Sequence, residues 1–342
     1  MNLRNNYASV AIPTLNRFNH LTRCLDSLRR SSYAQYTDVY IGLDYPPQDK
    51  YKEGRDQIEA YLNQDQEGFA HIYVHKFESN VGPDRNRQFL IDWIGKTHSK
   101  FIFSEDDNEF SVNYLEYMNK MLDQYESDES VVAISGYAYS MASLDVKDGC
   151  FSNPVYFAAF GFGSWINKYN NMQESMTKEW LYGFYNDHGL MKRLRYTAPN
   201  QYCNFVKGML GYTRLLENDG EVWKMDMTYG LYMYSEGMRM IFPVISKVKN
   251  WGYDGSGVNC EDSEFDSSKP ITHRNFGMDC QVLDDRETCE NIEEVSADDN
   301  MRLNEAVNRF FDIPTKELLR TRIAYILSRL FGIETIRKIW NR

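Results

Sequence analysis

No stretch of eighteen consecutive apolar residues occurs among the 342 residues, so no segment reads as a membrane span. The N-terminus, MNLRNNYASVAIPTLNR, lacks the apolar core and cleavage site of a secretory leader, so export is not expected. The six cysteines, at 24, 150, 203, 260, 280 and 289, form no CxxC pair and no finger-like spacing with histidine. That pattern gives no structural zinc site and suits reduced thiols in the cytoplasm. Basic residues are also short: 38 against 49 acids leave a net charge of −11, which argues against nucleic acid as a general partner. Finally, no GxGxxG follows a strand-like segment, and no GxxxxGK[ST] or GxSxG is present. A dinucleotide fold, a P-loop and a hydrolase elbow are therefore unsupported.

What remains is a chain of ordinary globular composition, with 42% hydrophobic and 25% charged residues, long enough for about two domains. Its first hundred residues alternate between two periodicities. Strands are expected at Tyr7 to Ile12, ended by Pro13, at Asp38 to Leu43, at His71 to Phe77 and at Lys100 to Ser104. Between them lie helical patterns at Phe18 to Ser31, Glu53 to Asn63 and Asp84 to Ile94. The first places Leu21, Cys24, Leu25 and Leu28 on one face. Such alternation predicts an α/β fold with a mainly parallel sheet flanked by helices. Ligands of such sheets bind beyond the carboxyl ends of the strands. A helix after Ser111 and a strand at Val131 to Ile134 continue the pattern, whereas residues 150–250 read as less regular. Residues 279–299 hold nine acids and one arginine, a solvated connection by composition.

The sharpest local signal is Ser104-Glu105-Asp106-Asp107-Asn108-Glu109, directly after the strand KFIFS. Carboxylates crowded at a strand end repel one another, and hard oxygen donors suit Mg²⁺ or Mn²⁺. The alternative is an acidic turn leading into the next helix. The tail differs in sign from the body. Residues 315–342 carry seven basic side chains and two acids, net +5, while the remainder carries 31 and 47, net −16. Leu319, Ile323, Ile326 and Leu330 share a helical face there, continued by Ile333, Ile336 and Trp340. A basic amphipathic helix of this kind suits an anionic membrane surface. The competing expectation is a helix docked on the core with its charges solvated.

Four blocks together resemble the inverting glycosyltransferases of family 2, which have the nucleotide-sugar-binding GT-A fold. They are VAIPTLNR (Val10 to Arg17), FIFSEDDNEFSVNYLEYMNKML (Phe101 to Leu122), FGFGSW (Phe160 to Trp165) and PVISKVKNWGYDGSGVNC (Pro243 to Cys260). The likeness is greatest to members that build bacterial surface polysaccharides. It implies a catalytic domain over residues 1–275, with a donor half of about 1–135 and an acceptor half of about 136–275. Residues 276–342 would then hold the acidic connection and the basic C-terminal helix.

Carried over residue by residue, the resemblance sets Pro13, Thr14 and Arg17 along the nucleotide and Asp44 at its base. Asn80, Gly82 and Arg85 would form a loop over the donor. Glu105, Asp106 and Asp107 match the acidic motif, with Asp107 the metal ligand. The member histidine expected after the Gly-rich stretch is replaced by Asn259, which leaves His273 as a possible substitute ligand. An inverting transfer also needs a carboxylate to take the proton of the attacking hydroxyl. Asp226, three residues after Trp223, matches that position, with Glu221 in reserve. The plainer role for Asp226 is an acid favouring a helix N-terminus.

The expectation is thus a Mn²⁺- or Mg²⁺-dependent transferase that moves a sugar from a nucleotide-diphosphate donor, with UDP the expected nucleotide. The acceptor would be a glycan or lipid-linked glycan at the inner face of the cell membrane. The alternative is a non-catalytic GT-A-fold protein that binds or assembles glycans, because fold alone does not fix function.

Overall fold

A computed structural model describes residues 7–139, 144–211, 215–216, 220–252, 254, 256, 283–289 and 292–340. The first 135 residues run β1 (Ser9–Thr14), α1 (Phe18–Arg29), β2 (Asp38–Leu43), α2 (Lys52–Leu62), β3 (His71–Lys76), α3 (Pro83–Ile94), β4 (Lys100–Phe103), β5 (Asn108–Phe110), α4 (Tyr114–Gln124) and β6 (Val131–Ser135). The strands β3-β2-β1-β4 lie side by side and all parallel. The helical face of α1 is completely buried at Leu21, Cys24, Leu25 and Leu28, so its periodicity placed the helix correctly against the sheet.

Pro13 does not end β1. The strand continues to Thr14, with Pro13 opposite Gly42 of β2. On its other side β4 pairs only with Ser9 to Ala11, so the missing proline N–H removes no ladder bond there. The helix after Ser111 starts at Tyr114, which leaves Val112 outside it and exposed, while Leu115, Met118, Met121 and Leu122 are buried as expected.

The rest of the chain adds β7 (Cys150–Asn153), β8 (Phe162–Trp165), α5 (Ile166–Ser175), α6 (Lys178–Asn186), α7 (His188–Thr197), α8 (Pro199–Met209), α9 (Asp226–Glu236), β9 (Arg239–Pro243), β10 (Val248–Asn250), α10 (Ala297–Phe310), α11 (Thr315–Phe331) and α12 (Ile333–Trp340). The eight-stranded sheet continues β4-β8-β6-β9-β7, and β8 runs antiparallel to both of its neighbours. A small antiparallel pair, β5 with β10, stands beside it.

The region expected to be irregular is therefore largely helical. Its helices are short, and Thr177, Asp187 and Pro199 start three of them. Aromatic residues fill several of their faces at once, which hides the 3.6-residue period. Tyr169, Tyr185, Tyr202 and Tyr229 are fully buried among them.

The acidic connection is not simply solvated. Asp284 is buried, ion-paired with Lys247 and Arg286, and accepts a hydrogen bond from Asn113 Nδ2 at 3.0 Å. The basic tail is two helices rather than one, broken at Gly332 with φ +87°. α11 does dock on α8, through Thr321, Ala324, Tyr325 and Ser328. Tyr325 donates to the Tyr185 carbonyl at 3.2 Å. The apolar face expected for the membrane points the other way: Leu319 is 55% exposed and Leu330 69%, with Ile323 and Ile326 also exposed. Ile333 is half-buried and Ile336 buried against the body. Among the described residues no helix is long and apolar enough to cross a membrane. The four described cysteines, Cys24, Cys150, Cys203 and Cys289, are buried and unpaired.

Candidate active site

The carboxyl ends of β1, β2 and β4 bring together the loops that the sequence singled out. Thr14 closes β1, and its hydroxyl donates to Asp106 Oδ2 at 2.7 Å. Arg17, the residue capping α1, inserts its guanidinium between two acids. It pairs with Asp106 Oδ1 and lies 2.8 Å from Asp107 Oδ2. Burial opposes the charge on Arg17, but Asp106, Asp107 and Glu105 outweigh it and keep the group protonated.

The β5–β10 pair locks the acidic turn from the other side. Asn250 Nδ2 donates to Asp107 Oδ1 at 2.7 Å and to Asn108 Oδ1 at 3.0 Å. The Trp251 N–H reaches the Asp107 carbonyl at 2.8 Å, and the Trp251 indole reaches Glu109 at 2.8 Å. Gly252 then passes so close that a Cβ there would lie 2.2 Å from Asp107 Oδ2. A side chain there would have to displace that carboxyl.

Charge in this turn is unbalanced. Burial first, then repulsion from Asp107, pushes Glu105 up to about 8, with Arg17 acting against the rise. Burial also raises Asp106, again opposed by Arg17. One guanidinium stands against two buried carboxyls, Asp106 and Asp107, and a half-buried third, Glu105, and such a cluster of hard oxygen donors suits a divalent cation. Among the described residues no three Asp, Glu, His or Cys side chains converge to enclose an ion by themselves, so a bound ion would draw its remaining ligands from elsewhere. His273 and Asn259 lie outside the described residues.

Asp44 is buried and holds the neighbouring loop in place. Its carboxylate accepts from Val81 N–H at 3.0 Å, Gly82 N–H at 2.9 Å, Asn80 Nδ2 at 3.1 Å and its own neighbour Tyr45 N–H at 2.8 Å. Four bonds fill the lone-pair sites of a carboxylate. The role expected for Asp44 at the nucleotide base thus meets competition from loop anchoring. Gly82, at φ +80°, adopts a conformation that a side chain disfavours, and Pro83 follows it to start α3. Arg85 is exposed on α3, whereas Arg87, two residues on, is the arginine that turns inward.

Asp226 is the first residue of α9, as the plainer reading required, yet it also lies close enough to the acidic turn to be felt by Glu105. Burial raises it to about 6, opposed by the Ala159 N–H at 3.5 Å and by Arg87. Its charge contributes to the shift at Glu105, so the two carboxyls lie within electrostatic reach. Glu221 is exposed. Residues 159 and 226 come from separate stretches that the sequence ordered correctly but could not join. Asn250, Gly252, Asp84 and Arg87 were not singled out. Asn250 and Gly252 lie within the Pro243 to Cys260 block that carries the resemblance but had no role attached, and the one signal of Asp84 and Arg87, an acid–base pair three apart, is common in any sequence.

The model of the family described as glycosyl transferase family 2 matches residues 9–187, just over half of the chain. The chain belongs to that family. It has the mixed α/β sheet and flanking helices of the GT-A fold. No curated protein matches its sequence. Among solved structures, S. aureus TarS is 19% identical over 37% of this chain and 21% of its own, with a TM-score of 0.29. TarS 1–349 is 16% identical over 48% and 49%, with a TM-score of 0.33. The mannosyltransferase PcManGT from Pyrobaculum calidifontis, in complex with GDP-Man and Mn²⁺, is 16% identical over 38% and 34%, at 0.29. The family 2 chain described here spans less than half the length of each.

Proposed function

We propose that this glycosyltransferase transfers a sugar, with inversion, from a nucleotide-diphosphate donor, UDP-linked in the first instance, to a hydroxyl of a glycan or lipid-linked glycan. The observation that carries the reading is the pairing of a buried carboxylate turn at the sheet's carboxyl edge with a second, separate carboxyl at Asp226. In this reading the β1 turn, with Pro13, Thr14 and Arg17, and the Asn80–Gly82 loop held by Asp44 flank the nucleotide. Arg85 on the exposed side of α3 would contact it only from outside. Asp107, with Glu105 and Asp106 beside it, would hold Mn²⁺ or Mg²⁺. A bound ion supplies positive charge against the departing diphosphate. Arg17 contributes fixed positive charge at the same turn. Asp226 accepts the proton of the attacking hydroxyl at its carboxylate oxygen, a role its raised pKa favours because the group is a stronger base than an ordinary aspartate. Glu221, exposed, is the reserve.

The exposed stripe Leu319, Ile323, Ile326 and Leu330, rimmed by exposed Lys316, Arg320, Arg322 and Arg329, suits an anionic bilayer at the inner face of the cell membrane. The experiment is a thermal-shift panel of UDP-, GDP- and dTDP-sugars with Mn²⁺, followed by nucleotide release from whichever donor stabilises. Stabilisation by a nucleotide sugar only with the metal supports the reading. Absence of any stabilisation and of any release favours the non-catalytic alternative.

A further inference from the structure

Helix α3 begins in the loop that Asp44 anchors and ends its first turn against the segment carrying Asp226. Asp84 Oδ2 accepts from the indole Nε1 of Trp223 at 3.0 Å. Arg87 Nη2 donates to the Lys224 carbonyl at 3.1 Å and lies 3.1 Å from Asp84 Oδ1. We propose that Asp84 and Arg87 are positioning residues that clamp residues 223–226 onto the donor half and so hold Asp226 over the transfer site. This rests on reading Asp226 as the base.

The far side of the segment is held independently. Lys224 Nζ donates to the Gln173 and Met176 carbonyls at 2.8 and 2.6 Å, and Thr228 Oγ1 donates to the Trp223 carbonyl at 2.8 Å. Those bonds tie residues 223–226 to the acceptor half alone. The Asp84–Arg87 pair is what joins them to α3, and through Gly82 N–H and Asp44 to the donor loop. Arg87 is well placed for more than a hydrogen bond. Its guanidinium lies 5.9 Å from the Phe103 ring, at the end of the strand that leads into Glu105, and its Nε is buried with no acceptor. Burial opposes the charge on Arg87, and Tyr229 and Tyr169 together with the Asp84 and Asp226 carboxylates offset it. The groups facing Asp226 are Arg87 from α3, the Ala159 N–H and, from the turn after β4, Glu105.

The test is ¹³C-carboxyl NMR on aspartate-labelled protein, with the Asp226 signal assigned by Asp226→Asn. Arg87→Met should move the titration of Asp226 upward by about one pH unit, the usual effect of losing one nearby opposite charge. Arg87→Lys, which keeps the charge, should restore it. If Arg87→Met does not fold, Arg87→Gln removes the charge while keeping a donor toward Lys224, and the same upward shift is expected. In parallel, the Trp223 indole N–H, assigned by Trp223→Phe, should exchange slowly in the intact protein and at least tenfold faster in Asp84→Ala. An unmoved Asp226 titration in the charge-removing variants, or an indole equally protected in Asp84→Ala, overturns the clamp. Wild-type nucleotide release by Asp226→Asn would instead overturn the base assignment, and leaves both spectroscopic readouts interpretable.

Discussion

At the residue scale, in the reading proposed above, the chemistry divides between two carboxyl groups, Asp107 toward a cation and Asp226 toward a proton. Asp226→Asn should keep donor affinity and lose ~10²–10⁴-fold in turnover, because the base acts only when the hydroxyl attacks. Stopped nucleotide-release assays at saturating donor check this, with Glu221→Gln expected near wild type. The sign of the pH dependence follows from the raised value. A base must be deprotonated, so turnover should fall about tenfold per unit below pH 6 and level off above it, from the Asp226 value of about 6. An unshifted aspartate would hold activity two units further down. Asp107→Ala should abolish the Mn²⁺-dependent part of UDP binding, measured by calorimetry, with the fold intact because the site is a turn. Unchanged UDP affinity with Mn²⁺ would remove Asp107 from the metal site. The contiguous acids 105–107 were readable because strand, turn and charge sit in one short stretch. Asn250 and Arg87 were not, since their partners lie 143 and 137 residues away in sequence.

Among elements, the lesson is that local pattern predicts strands and amphipathic helices well where one face is buried, and poorly elsewhere. α1 was legible for that reason, while α5 to α9, packed on several faces by tyrosines, were not. Pro13 misled because proline ends a strand only where its N–H would have a ladder partner, and at Pro13 the pairing with β4 has already stopped. β5 and β10 are three residues each and leave no periodicity at all, yet they fix the acidic turn. Gly252→Ala should therefore weaken UDP binding at least tenfold with little change in melting temperature, since the added methyl meets the Asp107 carboxyl rather than the core. The acidic connection makes the opposite case. Asp284→Ala strips Lys247 of its partner in a buried site, at a cost of ~3–5 kcal/mol in urea unfolding. Hydrogen bonds from Arg286, Lys247 and Asn113 overcome burial and hold Asp284 well below the usual carboxylate range. Its stabilisation is therefore complete above about pH 4 and is lost only as pH falls toward the depressed value.

For the whole molecule, the docking face of α11 and its exposed apolar stripe with the basic rim lie on opposite sides of one helix. The docking expected for α11 is present, through Thr321, Ala324, Tyr325 and Ser328, and it leaves Leu319, Ile323, Ile326 and Leu330 exposed. Deleting residues 315–342 would consequently uncover the α8 face and confuse folding with membrane binding. The cleaner change is Leu319→Ser with Ile323→Ser and Leu330→Ser. The triple variant should keep its melting temperature and donor response yet lose sedimentation with anionic liposomes. Binding of the unaltered protein should weaken with salt, as the basic rim contributes ~1 kcal/mol per residue near the surface. Equal sedimentation of both proteins would exclude this face as the contact.

The position of β8 has a bearing on how the chain is made. It lies between β4 and β6 and follows both in sequence. A nascent chain can pair β3, β2, β1 and β4 as soon as residue 103 is free, but the outer edge of β4 stays open until residues 162–165 emerge. At a synthesis rate of ~5–20 residues per second that wait is about 3–12 s. Throughout it the sequence KFIF offers unpaired backbone to any passing strand, and an open apolar edge is a template for aggregation. Chains interrupted between residues 110 and 160 should accordingly precipitate or bind chaperones, whereas chains reaching residue 165 carry the strand that closes the gap.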